Sequence, residues 1–324
     1  MTQELQLQTK ILKSQFGLRL DKAISELFPD YSRSKIKKYI LDNRVKLNGK
    51  IISKPKEKVL GSEKVLISAL IKKDMSYVPQ NISLNIIYED DEILIINKPS
   101  NLVVHPGAGN TDGTLLNGLL YRYPKIINVP RAGIVHRLDK DTIGLMVIAK
   151  TILSHTYLVK DFKLRKIKRE YEAIVNGRIM DSGTIYEPIA RHPSKRTHMT
   201  VHPMGKPSIT HYQIMEHFRA HTRLRLRLGS GRTHQIRVHM AHINHPLVGD
   251  QVYGHSKYLL KNVSEEFYKI IKNFNRQALY AVMLSLFHPR TGIKMEWSID
   301  TPKDMLILVN ALKKDALIHK DAMN

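Results

Sequence analysis

The hydrophobic period of this chain changes near residue 80, and that change limits the folds open to it. Beyond about residue 81, short β-rich runs follow one another: LNIIYE, EILIINK, NLVVH, GLMVIAK, YEAIVNG, THYQIME, TRLRLRL and KMEWSI. Helical patterns (TLLNGLLYRY, SHTYLVKDFKLRK, EEFYKIIKNFN) are interspersed without strict alternation. A doubly wound parallel sheet needs strand and helix to alternate, so the pattern predicts an α+β domain with a large, mostly antiparallel or mixed sheet. No glycine-rich loop of dinucleotide or P-loop type occurs, which argues against a nucleotide-cofactor site.

The preceding segment, residues 18–70, reads as a small separate module. Leu20, Ile24 and Leu27 share one helical face, and Ile36, Tyr39 and Ile40 share another. Ser32 stands ahead of the second helix as its expected N-cap. VKLNGKII reads as a hairpin turning at Asn48-Gly49. Between Arg33 and Lys58 there are ten basic residues against two acids. A charge run often means only a solvated face, but here basic and apolar positions alternate on a helix beside a basic hairpin. Arg33, Lys35, Lys37, Lys38 and Arg44 are therefore candidate phosphate contacts. Residues 1–17 are expected to be an extension, 71–80 a linker, 81–310 the main domain and 311–324 a tail.

The 324 residues carry 52 Lys+Arg against 29 Asp+Glu, a formal charge of +23. So large a surplus points to a polyanionic partner, nucleic acid before an anionic membrane, since no apolar run nears the roughly 18–20 residues that span a bilayer. The opening MTQELQLQTKILK lacks the apolar core of a secretory signal. The absence of cysteine removes disulfides, thiolate catalysis and Cys-ligated zinc, and fits a reducing cytosol.

Several side chains could carry chemistry. In TRLRLRL the two-residue period puts Arg223, Arg225 and Arg227 on one strand face, which favours anion contact. His239, His242 and His245 could suggest a metal, but no acid lies between them, and hydrogen bonding within the fold is the better reading. Arg237 sits between Ile236 and Val238, an apolar setting where an arginine needs a carboxylate partner. The glycines of NKPSNLVVHPGAGNTDGTLLN read as a tight loop shaping a cleft wall, and Tyr171 as a strand residue of the core with a wet hydroxyl. Asp139, in HRLDKDTIGLMVIAK, is on local grounds either a solvated loop acid or a reactive one. Its pairing with Asp141 invites a glycosidase-like acid/base reading, yet Arg137 and Lys140 favour the ionised forms of both. A permanently ionised aspartate suits a nucleophile or a stabiliser of developing positive charge, while Asp141 suits a turn or cap.

HRLDKDTIGLMVIAK resembles the signature of the pseudouridine synthases that modify ribosomal RNA, in the branch with an N-terminal S4 domain. The resemblance extends through EDDEILIINKPSNLVVHPGAGN, VPRAGIVHRLDKDT, KREYEAIVNG, RHPSKRTHMTVHPMGKP, LRLRLGSGRTHQIRVHMAHINHPLVGDQVYG and RQALYAVMLSLFHP. RLDKAISELFPDYSRSKIKKYILDNRVKLNGK is similar to an S4 RNA-binding domain (the α-L type). The resemblance implies an S4 domain joined to a catalytic domain with a mixed sheet and a central basic cleft. It implies cofactor-free isomerisation of uridine in large-subunit (23S) rRNA, and for the nearest branch the helix 69 stem-loop. The enzyme would be a cytoplasmic monomer acting on that rRNA or a pre-50S particle. Asp139 would be the catalytic carboxylate, Arg237 its partner, Tyr171 the residue packed on the target base and a proton acceptor, and Arg137 an RNA contact near the extruded nucleotide. Arg232 falls in the GRTHQIR motif and joins the RNA-binding set. Two positions depart from the family pattern: Ile143 replaces the usual Ser or Thr, and GSGRTHQ replaces ETGRTHQ.

Two other classes compete. A non-catalytic ribosome-assembly factor would use the same basic surface and tolerate loss of the Asp139 carboxylate. An N-glycosidase would release free uracil. Asp139, Tyr171 and Arg237 together favour isomerisation.

Overall fold

The computed structural model describes residues 2–28, 31, 33–72, 77–107, 109–254 and 262–319. The chain forms two units, Met1–Tyr77 and Val78–Asn324.

In the first unit β1 (Thr2–Lys10), α1 (Leu20–Leu27), α2 (Arg33–Leu41), β2 (Val45–Leu47), β3 (Lys50–Ile51) and β4 (Lys64–Lys72) follow in order. The strands pair antiparallel as β1-β4-β2-β3. Leu20 and Ile24 of α1 meet Ile36 and Ile40 of α2 over Val45, Val65 and Ile67, all fully buried. The two helical faces expected from the spacing are the faces that pack. Asn48 and Gly49 both have positive φ (48° and 83°), as a tight two-residue hairpin turn requires.

The N-terminal extension expected over 1–17 is corrected: Thr2–Lys10 is an edge strand in register with β4 from Thr2↔Lys72 to Lys10↔Lys64. The polar/apolar alternation of ELQLQTKI suits a strand with one covered face. The expected linker is likewise shortened, because residues 71–72 complete β4 while Val78 and Gln80 bond to Asn117 of the second unit. Ser32, the expected N-cap, lies outside the described residues.

The second unit runs β5 (Ile86–Glu89), β6 (Ile93–Lys98), α3 (Leu115–Arg122), β7 (Ile143–Ala149), α4 (Ile152–Lys163), β8 (Lys168–Asn176), β9 (Gly183–Tyr186), β10 (Ile189–Arg191), β11 (Met199–Val201), β12 (Ile209–His217), β13 (His221–Leu228), α5 (Gln235–His242), α6 (Glu265–Asn273), β14 (Leu279–Phe287), β15 (Lys294–Ser298) and α7 (Lys303–Ile318). Among the described residues, one nine-stranded sheet carries the order β5-β6-β7-β14-β8-β13-β12-β9, with β15 also on β14. Only β7 and β14 pair parallel in it, so the sheet is mixed and the α+β class expected from the runs holds.

Alternation along the central strands feeds cores on both faces. Leu94, Ile96, Met146 and Ile148 pack with α3 and with Ile236 and Met240 of α5. Ile93, Ile95, Leu145 and Val147 face the other way, towards Leu158 of α4. Each such side chain contributes about 1.5–3 kcal/mol on burial, which makes β7 a rigid base for the loop before it. Gly144 is needed where β7 meets β14: its φ is 132°, and a Cβ would lie 2.4 Å from the Ala281 carbonyl oxygen. Ile143 packs against the core under α6 and α7, so an apolar side chain is accommodated there. The tail expected from residue 311 is instead the second half of α7, with Ala311, Leu312 and Asp315 buried; its amphipathic face closes that core. NLVVH, expected as a strand, is an irregular segment that buries Leu102 and Val104 beneath α3.

Candidate active site

The loop before β7 carries Asp139, and four sets of contacts hold it. The His136 ring accepts the Val147 N–H at Nε2 (3.0 Å), pinning the loop to β7, and stacks on Phe162 of α4 at 4.8 Å. Burial pushes this imidazole down to about 3, with Arg169 acting in the same direction, so it is neutral. Lys98, fully buried, donates from Nζ to the carbonyls of Pro99 (2.7 Å), Leu102 (3.0 Å) and Lys140 (2.9 Å), tying the irregular 99–102 segment to the loop. Burial pushes its ammonium down to about 7, opposed by Asp141 and Asp139. Asp141, expected as a local turn or cap residue, instead accepts the N–H of Asn101, 40 positions away, at 3.2 Å. The Thr142 N–H closes a turn onto the Asp139 carbonyl (3.1 Å).

Arg237 reaches this loop from α5. Its guanidinium donates from Nε and Nη2 to the two oxygens of Asp250 (2.7 and 2.8 Å) and from Nη1 to Asp139 Oδ2 (3.1 Å). The arginine is buried, so both carboxylates are needed to make its charge tolerable, and together they raise its pKa further. Burial alone would push the Asp250 carboxyl up. Arg237 and the Tyr253 and Val252 N–H groups outweigh that and hold it below the usual range. Gly249 lets the chain turn into Asp250, with φ 71° and no room for a Cβ against the Arg276 and Phe274 carbonyls. Sequence reasoning demanded a carboxylate for Arg237 but did not find Asp250; the acid in GDQVYG, thirteen residues downstream, was the available signal.

His234 completes the group. It begins α5 in the left-handed region (φ 55°), its Nδ1 bonds the Tyr253 hydroxyl (2.9 Å), and its Nε2 stands 3.9 Å from Asp139 Oδ1. The Arg237 guanidinium lies over the Tyr253 ring at 5.0 Å.

Of these residues Asp139, His234 and Arg237 line a cleft of about 480 Å³, together with Arg137, Tyr171, Leu228, Arg232 and Ile236. Tyr171, on β8, is 4% exposed and shares the sheet face of Leu226, its cross-strand neighbour. Asp139 keeps 15% of its side-chain surface, so it is held firmly yet reachable. Arg137 and Arg232 are exposed at the cleft, where a phosphate could meet them. The site therefore presents an oriented carboxylate and an aromatic side chain in one cleft, with exposed cations beside them.

The arginine strand is corrected. Because β13 alternates, the face holding Arg223, Arg225 and Arg227 is opposite the face of Leu226 and Tyr171. Arg223 pairs with Glu172 (2.6 Å), Arg225 with Glu172 (3.0 Å) and Glu170 (3.6 Å), and Arg227 with Glu170 (2.6 Å). They are a cross-strand ion ladder, not a row of cations lining the cleft. The partner acids lie on β8, invisible to a reading of β13 alone.

In the first unit Arg33 is also committed, forking Asp21 at 3.0 and 3.1 Å beside Arg19. Arg33 thus belongs to a buried-carboxylate pair, which corrects its assignment as a free phosphate contact. Lys37, Lys38 and Arg44 are exposed, as a phosphate-binding face requires, and the Lys35 side chain lies outside the described residues. Two of the three histidines serve the fold: His239 of α5 bonds Thr210 Oγ1 (2.9 Å) and donates to the Glu187 carbonyl (3.0 Å), and His245 donates to that of Asn176 (2.8 Å), whereas His242 is exposed. Among the described residues no cluster of three His, Asp or Glu could hold a metal.

Comparison with known proteins gives the family of the chain. A family described as RNA pseudouridylate synthase matches residues 92–242, and the S4 domain matches 18–65. The chain is 62% identical to ribosomal large subunit pseudouridine synthase D of Yersinia pestis over 324 residues, covering 100% of both chains. It is 60% identical to the protein of that name from Escherichia coli K12, covering 100% of this chain and 99% of the other. Human RNA pseudouridylate synthase domain containing 1 superposes with a TM-score of 0.54 at 25% identity, covering 72% of this chain and 96% of that one. Fold and site thus define an RNA-modifying isomerase with an appended RNA-binding module. The chain belongs to the RNA pseudouridylate synthase family, in the group that carries an N-terminal S4 domain.

Proposed function

We propose that this protein isomerises uridines of large-subunit rRNA to pseudouridine, with the helix 69 stem-loop as its target and Asp139 as the group acting at C1′. The observation that carries the reading is the grip on Asp139: one oxygen is held by Arg237, itself locked by Asp250, inside a cleft that Tyr171 lines.

The target base must first leave its stack, at a cost of a few kcal/mol. Arg137 and Arg232 at the cleft rim offset part of it through phosphate contact, and Arg137 can occupy the vacated place. With the uridine seated, the C1′–N1 bond breaks and the Asp139 carboxylate bonds to C1′ or stabilises its positive character. Arg237 keeps that carboxylate aimed through its Nη1 hydrogen bond to Oδ2. Uracil then turns against the Tyr171 ring, which prevents its escape, and C5 bonds to C1′ as the Asp139 carboxylate leaves it. The proton on C5 leaves through a base in the cleft, a role suited to Tyr171, and N1 ends protonated. Substrate and product are isomers, so the reaction consumes no oxidant, reductant or co-substrate.

The S4 module supplies a second grip on folded RNA through Lys37, Lys38 and Arg44. An rRNA substrate places the enzyme in the cytoplasm, and no described helix is long and apolar enough to cross a membrane. The test is carbodiimide mapping of an unmodified large-subunit transcript treated with wild-type protein, Asp139→Ala or Asp139→Asn. Wild type should convert uridines in the helix 69 stem-loop and neither variant any. An unchanged pseudouridine pattern with the variants would reject Asp139 as the acting group.

A further inference from the structure

Beside the Asp139 cleft lies a second cavity of about 270 Å³, formed where the C-terminal turn of α4 meets the start of β8 and the loop after β13. Phe162, Arg169 and Arg232 border both spaces, so one continuous groove leads from the cleft into it. Its charged wall is entirely cationic: Lys163, Arg165, Arg169 and Arg232, with no acidic residue lining it. Among the described residues none of these four pairs with a carboxylate, whereas the arginines of β13, α5 and the α6–β14 connection all do. Four converging cations repel one another, and an anion is the remedy.

The backbone shows how far the chain goes to place them. Helix α4 ends with the Lys166 N–H on the Asp161 carbonyl (2.9 Å) and the Arg165 N–H on that of Phe162 (3.2 Å). This paired closure puts Arg165 in the left-handed region, φ 59°, at the position where helices ordinarily use glycine. Across the cavity, Gly231 leaves room for Arg169: a Cβ there would come within 3.3 Å of the guanidinium. The negative end of α4 accounts for Lys163 and Arg165 in part. It does not account for Arg169 on β8 or Arg232 beyond β13. A stacked base is a poor occupant, because the aromatic at the edge, Phe162, is already covered by His136 and by Arg169 at 5.1 Å.

We propose that this cavity binds one backbone phosphodiester of the RNA strand flanking the extruded uridine, and so sets the register of that strand on the cleft. The proposal rests on the RNA-modifying function argued above. It identifies Lys163 and Arg165 as binding residues and gives Arg169 and Arg232 the same phosphate.

The test uses the full chain, Arg165→Gly and the double variant Arg165→Gly/Lys163→Gln, on a synthetic stem-loop. In this RNA each linkage within three nucleotides of the target is replaced in turn by a neutral methylphosphonate. Arg165→Gly relieves the left-handed strain, so its melting temperature should be unchanged or higher. Its kcat/KM should fall about ten-fold, carried by KM, and the log–log salt slope should shrink by about one. At one linkage the methylphosphonate should slow wild type by a similar factor yet slow the double variant by a clearly smaller one, left to Arg169 and Arg232 alone. At the other linkages the two losses should multiply. Multiplying losses at every linkage, or wild-type kinetics for the double variant, would overturn the proposal while leaving the enzymatic function intact. Failure of wild type to form pseudouridine in any rRNA fragment would remove the function and this inference with it.

Discussion

Asp250 grips Arg237 through both ends of the guanidinium fork, at 2.7 and 2.8 Å, and only the remaining nitrogen reaches Asp139, at 3.1 Å. The Asp139 carboxylate is thus aimed by way of a residue 111 positions away in sequence that does not itself line the cleft.

Asp250→Asn should cut kcat about thirty-fold, on the order of 2 kcal/mol of transition-state stabilisation, with little change in KM for RNA. The amide still accepts the Val252 and Tyr253 N–H groups but no longer fixes the arginine. Single-turnover kinetics beside RNA binding separates the two effects. An equal loss in binding would mean that Asp250 serves the substrate surface instead.

Arg225→Gln should leave RNA affinity and its salt dependence as in wild type. The side chain faces away from the Tyr171 side of the sheet and pairs with Glu172 and Glu170. The cost should appear as stability, about 1 kcal/mol, read as a shift in a urea midpoint. A salt slope reduced by one unit would restore this arginine to the RNA surface.

Lys98→Met strands the carbonyl oxygens of Pro99, Leu102 and Lys140 and frees the Asp139 loop from the 99–102 segment. The variant should lose about 3 kcal/mol of stability and more than ten-fold in kcat below its melting range. Faster amide exchange confined to residues 99–104 and 137–142 would locate the damage, and wild-type exchange there would refute the tie.

Stability should fall in acid through His136. Burial holds its folded-state pKa at about 3, below the ordinary 6.5, so the unfolded chain binds a proton that the folded one refuses. Its contribution is full above about pH 6.5 and declines as pH drops towards 3, reaching roughly 3 kcal/mol of loss near pH 4.5. His221, pushed down to about 4 by burial, adds to the same slope. Denaturation of His136→Gln at pH 7.5 and 4.5 should show a smaller acid loss than wild type; identical losses would remove His136 as its source.

The fold class was legible because periodicity is local. The two-residue alternation of TRLRLRL and the helical spacing of Leu20 and Ile24 need no partner to be seen, and both survive in the structure. The helix over Gln235–His242 is not legible in the sequence, since its apolar residues do not separate into a clear stripe. The strand nature of Thr2–Lys10 and the helical end of the chain are not legible there either, being declared by pairing with β4 and by packing under α6.

By itself the sequence determined a basic two-part protein, a mixed sheet, and a set of motifs that singled out Asp139, Tyr171 and Arg237. Only the tertiary structure decided which charges are spent and which are free. An arginine reads alike in sequence whether it meets a phosphate or a glutamate, because Coulomb attraction depends on distance and burial, and both are set by chain segments far apart. So Arg223, Arg225 and Arg227 became a ladder to Glu170 and Glu172, Asp250 emerged as the hold on Arg237, and Arg165 and Arg169 came to face an uncompensated pocket.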